Sequence, residues 1–175
     1  MKPSPVQLWQ LMFKHVRVEL DHQHQPPEIP NPLISAYTFD GVSIQSEVGL
    51  GEADPNHERG TVYFMELRVI IDNVPNADPS DQKFSPYTID IATEGVILIP
   101  KGAEKLADPE DLAAVNGASL LWSAVREQVL SITSRMRAGP VVLPTVHFHD
   151  LKKQAKAEVA APALGAEPGQ LLTKD

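Results

Sequence analysis

The chain has 175 residues, a formal net charge of −8 at pH 7 and no cysteine. A chain of this length favours one domain and buries roughly 70 % of its unfolded surface, enough for a core without staples. The missing cysteine excludes disulfides, thiolate metal sites and a cysteine nucleophile, and an acidic chain with no basic patch is poorly suited to nucleic acid.

Residues 1–14 carry Lys2, two prolines and the run Val6 to Phe13, which Gln7 and Gln10 interrupt. No small-residue cleavage site follows, so the run does not read as a secretory signal. The longest apolar stretch elsewhere, Gly95 to Pro100, is far too short to span a bilayer. A cytoplasmic protein without membrane insertion is the expectation.

Four strand-like segments come next. The first runs from about Leu11 to Leu20, with Val16, Val18 and Leu20 alternating with His15, Arg17 and Glu19. Strict alternation puts Leu11 and Phe13 on the polar face with His15 and Arg17. The segment stops at His22 to Pro27, where two prolines cannot donate to a ladder. The second strand is expected at about Ala36 to Val48, followed by a turn-rich loop from Gly49 to Gly60. The third, Thr61 to Ile71, places Tyr63, Met65, Leu67, Val69 and Ile71 on one face and Glu66 and Arg68 on the other. Asp72 to Pro86 reads as a polar loop. The fourth strand, about Tyr87 to Ile99, contains Gly95, which suggests a bulge or bend. Four strands in succession imply an antiparallel sheet.

A helix is expected from Pro109, with Asp108 as its cap. Val115, Ala118, Trp122, Val125, Val129, Ile132 and Met136 follow helical spacing, and Leu121, Ala124 and Leu130 widen the apolar arc. So broad an arc, opposite weakly polar Ser119, Ser123, Glu127 and Ser131, suggests contact with a second surface besides the sheet. Gly139-Pro140 ends the helix. The extended apolar run Val141 to Phe148 follows, then a short helix at about Asp150 to Val159. The domain is expected over residues 1–160, with 161–175 as a flexible tail of disordered composition.

The block Asn116-Gly117-Ala118, Val125-Arg126-Glu127, Ser134-Arg135 and Gly139-Pro140-Val141-Val142-Leu143-Pro144-Thr145-Val146-His147-Phe148 resembles the SecB family of protein-export chaperones. The fourth strand, with Gly95 and Val96-Ile97-Leu98-Ile99, is similar as well. Element order agrees over about residues 8–160, and clear motif similarity is confined to the last third. His147 and His149 depart from the family's Asn and Asp, and the Gly49 to Gly60 and Gln25 to Pro32 stretches are atypical. The resemblance implies an α+β fold: a four-stranded antiparallel sheet, a long helix packed across it and a short C-terminal helix. It implies no enzyme activity and no cofactor, and a homotetramer built as a dimer of dimers with the long helices between the dimers. Trp122, Val125 and Val129 would then lie at the oligomer interface. Unfolded or precursor polypeptides would be clients, either for export or as a dedicated client such as an antitoxin. An export motor ATPase would dock on an acidic sheet patch, to which Glu19 and Asp90 correspond.

Each candidate has a plainer alternative. Trp9, Leu11, Phe13, Val142, Leu143, Val146 and Phe148 form the candidate client-binding set, since holding unfolded chains needs uncovered apolar area. The same residues would equally serve a core. Glu19 and Asp90 would equally suit a solvated face. Arg126 and Glu127 are adjacent on the helix and do not pair with each other. Arg126 is expected to bond a carbonyl, or an acid of a neighbouring subunit, or to lie on the surface. The pairs His22/His24 and His147/His149 would each face one way on a strand, as metal-binding imidazoles require. A metal-dependent enzyme is therefore one rival reading; a single-partner adaptor on the same fold is the other. No nucleophile–base–acid order or phosphate-binding glycine loop is present.

Overall fold

The computed structural model describes residues 4–24, 37–77 and 81–152. Four strands, β1 (Gln7–Leu20), β2 (Gln45–Asp54), β3 (Gly60–Ile71) and β4 (Tyr87–Pro100), form one antiparallel sheet in the order β1-β4-β3-β2. The first and second strands thus occupy opposite edges. The fold class is the expected one, α+β with a long helical segment across one sheet face.

β3 and β4 form the centre because their inner faces are apolar throughout. Tyr63, Met65, Leu67, Val69 and Ile71 lie in register with Ile97, Gly95, Thr93, Ile91 and Ile89, and all ten are buried. Each large side chain covered this way contributes roughly 1.5–3 kcal/mol relative to exposure. β1 reaches the same face by a different route. Its register slips by one residue between Leu8 and Gln10 and again between Phe13 and His15. These two bulges place Leu8, Leu11, Phe13, Val16, Val18 and Leu20 opposite Ile97, Gly95, Thr93, Ile91, Ile89 and Tyr87. The expected exposure of Leu11 and Phe13 on the polar face is therefore corrected. A bulged strand inserts an extra residue, so strict alternation fails beyond it. Thr93 supports the distorted backbone by donating its hydroxyl to the Met12 carbonyl at 2.9 Å.

Gly95 marks no bulge of its own strand, because β4 pairs with β3 without a register shift. It makes room instead. A Cβ there would sit 2.8 Å from Leu121 Cδ1 and 3.2 Å from Leu8 Cδ1. The second strand also differs from expectation. Pairing with β3 runs through Gly49 and Gly51 to Asp54, so half of the expected loop is strand. Ladder bonds come from the backbone and do not require a side chain, which is why glycine misled the reading. The true turn is Pro55 to Arg59, closed by Gly60 at φ 148°.

The helical segment opens at α1 (Pro109–Leu112), where Asp108 Oδ1 accepts from Glu110 N at 2.8 Å. It continues through a π-helical turn (Ala113–Gly117) into α2 (Ala118–Thr133). Gly117 lies at the close approach to the sheet, where a Cβ would meet Met65 Sδ at 2.9 Å. Ala118, Leu121, Trp122, Val125, Val129 and Thr133 are buried. Leu120 and Leu130 face outward, so the covered arc is narrower than the expected one and Leu130 does not belong to it.

Beyond α2 the chain turns at Gly139 (φ 83°) and runs extended. After it, only a 3-10 turn (His149–Leu151) is described. The rest of the expected short helix, and the 161–175 tail, lie outside the described residues. At the β1 exit, Asn73 adopts a left-handed φ of 57°, a conformation asparagine tolerates better than most residues. Its amide nitrogen donates to Asp21 Oδ2 at 2.6 Å and to the Ser85 carbonyl at 2.8 Å, and its amide oxygen accepts from Ser85 N at 2.9 Å. This clasp ties the β3–β4 connection to the end of β1.

Candidate polypeptide-binding surfaces

The outer sheet face, opposite the helix, carries an uncovered apolar cluster. The first bulge turns Trp9 and Gln10 together to this side, where Met12, Val96 and Phe64 also project. Trp9 is 40 % exposed, Met12 46 % and Phe64 36 %. Val96 is half-buried between them, and Gly51 faces Phe64 from β2 without a side chain. Trp9 is held at its rim by His57, edge-on with ring centroids 5.1 Å apart, and by Arg59, whose Cζ is 5.1 Å from the indole centroid. Arg59 also donates to Gln7 Oε1 at 3.3 Å. These contacts orient the indole and leave one side open.

The rest of the outer face is an ion lattice. Lys14, brought outward by the second bulge, bonds Glu66 and Glu94, each at 2.8 Å. Arg68 forks onto Asp90 with two bonds of 2.9 Å and approaches Glu47 at 3.9 Å. Arg17 bonds Glu19 at 2.7 Å, and His15 Nε2 stands 3.6 Å from Asp90. Hydrogen bonds from Arg68 and Arg17 hold the Asp90 and Glu19 carboxyls below their ordinary range. Glu19 and Asp90 do lie on the outer face, as expected, but each carboxylate already faces a cation of its own chain. They do not form the free acidic patch that the docking expectation needs.

On the helix side the expected residues come together, and they cover one another. Trp122 Nε1 donates to the Pro144 carbonyl at 2.9 Å, Arg126 Nε to the Leu143 carbonyl at 2.7 Å, and Tyr87 Oη to the Gly139 carbonyl at 2.8 Å. Val141 N donates to Thr133 Oγ1 at 3.0 Å, and the Trp122 and Phe148 rings meet edge-on at 6.1 Å. Of the roles expected for Arg126, it takes that of bonding a carbonyl, here one of its own chain. Val141, Leu143 and Phe148 are buried, whereas Val142 and Val146 are half-buried, with Val146 packed against the core. The apolar run thus closes the core at Leu143 and Phe148 rather than walling an open groove there. Trp122, Val125 and Val129 are likewise covered by their own chain, so the single chain leaves little of them for the interface between subunits that the resemblance implies. The outward helix face presents Leu120, Ser123, Glu127, Leu130 and Ser131 instead.

His147 and His149 stack at 6.1 Å between ring centroids, and His24 stacks on Phe84 at 4.2 Å. Among the described residues no group of three or more His, Cys, Asp or Glu side chains is placed to hold a metal ion. No helix among them is long and apolar enough to cross a membrane.

Met12, Phe64 and Val96 escaped the sequence reading. Phe64 stands out among Glu66 and Arg68 on the polar side of β3, and that misplaced aromatic was the available clue. Met12 becomes visible only once the bulges are known.

No family model matches the chain, and no curated protein matches it. Among solved structures it is similar to the Mycobacterium tuberculosis Rv1957 SecB-like chaperone, solved in complex with a ChAD peptide from the Rv1956 HigA1 antitoxin. The identity is 18 %, the match covers 81 % of this chain and 87 % of that one, and the TM-score is 0.41.

Proposed function

We propose that this protein is an ATP-independent chaperone that holds unfolded polypeptides in the cytoplasm, with the outer-face cluster of Trp9, Met12 and Phe64 as a binding surface. The observation that carries the reading is the gathering of these three exposed side chains at one end of the outer sheet face, whereas other exposed apolar side chains such as Val74, Leu106 and Leu120 lie elsewhere. Apolar side chains gathered on a rigid sheet give non-directional affinity for non-native chains, and methionine adapts to varied partners. The similarity of the Gly139 to Phe148 block to SecB chaperones supports the same reading. Half-buried Val142 and Val146 offer a second, separate apolar contact on the helix side. Self-association, in this reading, uses the outward residues Leu120 and Leu130.

The client class follows from the ion lattice. An export motor docking on Glu19 and Asp90 would have to displace Arg17 and Arg68. A dedicated client, such as an antitoxin, needs no such exchange and is the client we favour. A single-partner adaptor is the second reading. It is favoured by the lattice too, because ion pairs confine the apolar area to one end of the sheet.

The test is light scattering of a chemically denatured model enzyme diluted into buffer without nucleotide. Added protein should suppress the scattering in proportion to its concentration. Unchanged scattering, together with one stoichiometric partner in a pull-down, would select the adaptor.

A further inference from the structure

Arg59 differs from the cations of the outer sheet face, and the difference points to what the apolar cluster selects. We propose that Arg59 is a specificity-determining residue that recognises an Asp or Glu carboxylate of the bound polypeptide, beside the apolar side chains that the cluster takes; this rests on the polypeptide-binding reading above.

Lys14, Arg17 and Arg68 are each tied to a carboxylate of their own chain. Arg59 forms no ion pair among the described residues, although Asp54 and Glu58 are close to it in sequence. Asp54 Oδ1 accepts from Asn56 N at 3.0 Å instead. The groups that hold the Arg59 side chain are neutral. Its Cζ lies over the Trp9 ring, 5.1 Å from the centroid, and Nη2 donates to Gln7 Oε1 at 3.3 Å. Its backbone is fixed as well, with N donating to His57 Nδ1 at 3.2 Å and the carbonyl accepting from Lys101 N at 3.0 Å.

A guanidinium carries several N–H donors in a fixed fork that matches a carboxylate. Here the fork is exposed, and Gln7 is its one hydrogen-bond partner among the described residues. The contact with Trp9 and the bond to Gln7 orient it in advance, so a carboxylate that binds there orders little. Charge-assisted bonds are the stronger kind, and the adjoining indole limits the water that would weaken them. No pair within the chain has to be broken, unlike at Glu19 and Asp90. A Lys or Arg at the same place would meet a like charge.

The cluster has the reach for such a ligand. Val96 pairs with Gln10 on one side and with Phe64 on the other, so the cluster crosses three strands, about 10 Å at ordinary strand spacing. An extended chain rises about 3.3 Å per residue. A carboxylate on Arg59 therefore leaves residues about two to four positions along it over Trp9, Met12 or Phe64.

The test uses the full chain and a short fluorescent peptide with two Phe residues and one Asp two positions from them, beside counterparts carrying Asn or Lys in place of Asp. The Asp peptide should bind about tenfold more tightly than the Asn peptide, and the advantage should narrow at high salt. Arg59→Gln should remove the advantage and leave the affinity for the Asn peptide as in wild type. Arg59→Lys should still prefer the Asp peptide to the Lys peptide, but hold it less tightly than wild type because a point charge lacks the fork. Equal affinities of the wild type for the Asp and Asn peptides would overturn the assignment, as would an advantage that survives Arg59→Gln. Equal weakening of both peptides by Arg59→Gln would also overturn it, by reducing Arg59 to a support for Trp9. Suppressed aggregation of a denatured enzyme without a preference for the Asp peptide would refute this inference and leave the chaperone reading standing. Failure of both measurements would remove both.

Discussion

The two faces of the sheet are built by the same strands and serve opposite ends. On the helix side, Met65, Leu67, Val69, Ile71, Ile91 and Val125 have no exposed surface at all. Gly95 and Gly117 are small there so that the helix can come close. On the outer side, ion pairs cover one end, and Trp9, Met12 and Phe64 stand open at the other. Burial is extensive on the first face, whereas the second buries Val62 and Leu98 but leaves Trp9, Met12 and Phe64 open, the surface proposed for binding. A substitution on one face should therefore act on stability, and a substitution on the other on binding.

The largest expected effect is Trp122→Asp. It removes the ring contact with Phe148 and the bond to Pro144, and it buries a charge. A loss of about 4 kcal/mol or more is expected in denaturant melts. A wild-type melt would mean that the helix face is assigned wrongly and that the contrast between faces is not real. Next is Gly60→Ala. At φ 148°, a Cβ points into the Ile99 carbonyl and Pro100 backbone, so the β2–β3 turn must rearrange at a cost of about 2–3 kcal/mol. A Tm equal to wild type would show that the turn is held less tightly than described.

The clasp gives a smaller effect with a pH signature. Desolvation pushes the Asp21 carboxyl up, but hydrogen bonds from His24, Asn73 and the Gln23 N–H outweigh it and lower it to about 2. A folded-state value below the unfolded value of about 3.9 stabilises the protein fully above that pH, and the stabilisation fades as pH falls towards 2. Asp21→Asn should cost about 1–2 kcal/mol at neutral pH and flatten stability between pH 4 and pH 2 by roughly the same amount. A variant with the wild-type pH slope would show that another group carries it.

The faces were legible from sequence to different degrees. Period-two patterning in β3 and β4 located the core directly, and helical spacing found Trp122, Val125 and Val129. What they would touch was not legible, because an apolar arc does not say whether sheet, C-terminal segment or partner covers it. Arg126 illustrates this: its bond to the Leu143 carbonyl depends on the chain folding back after Gly139, a tertiary event with no local pattern. β1 was misread for a sharper reason. Its apolar residues at 8, 11, 13, 16, 18 and 20 follow neither period, and only two bulges make the spacing intelligible. Glycines in β2 hid a strand because alternation is carried by side chains, and pairing is not.

The smallest stability effect carries the most functional weight. Trp9→Ser, Met12→Ser and Phe64→Ser touch the open cluster, and surface changes of this kind usually shift stability by no more than about 0.5 kcal/mol each. The most direct measurement is light scattering of a denatured enzyme in the presence of this triple variant, with its melt recorded alongside. We expect wild-type protein to suppress scattering and the variant to lose suppression while melting as wild type does. A variant that suppresses as well as wild type would contradict the placement of binding on the outer face.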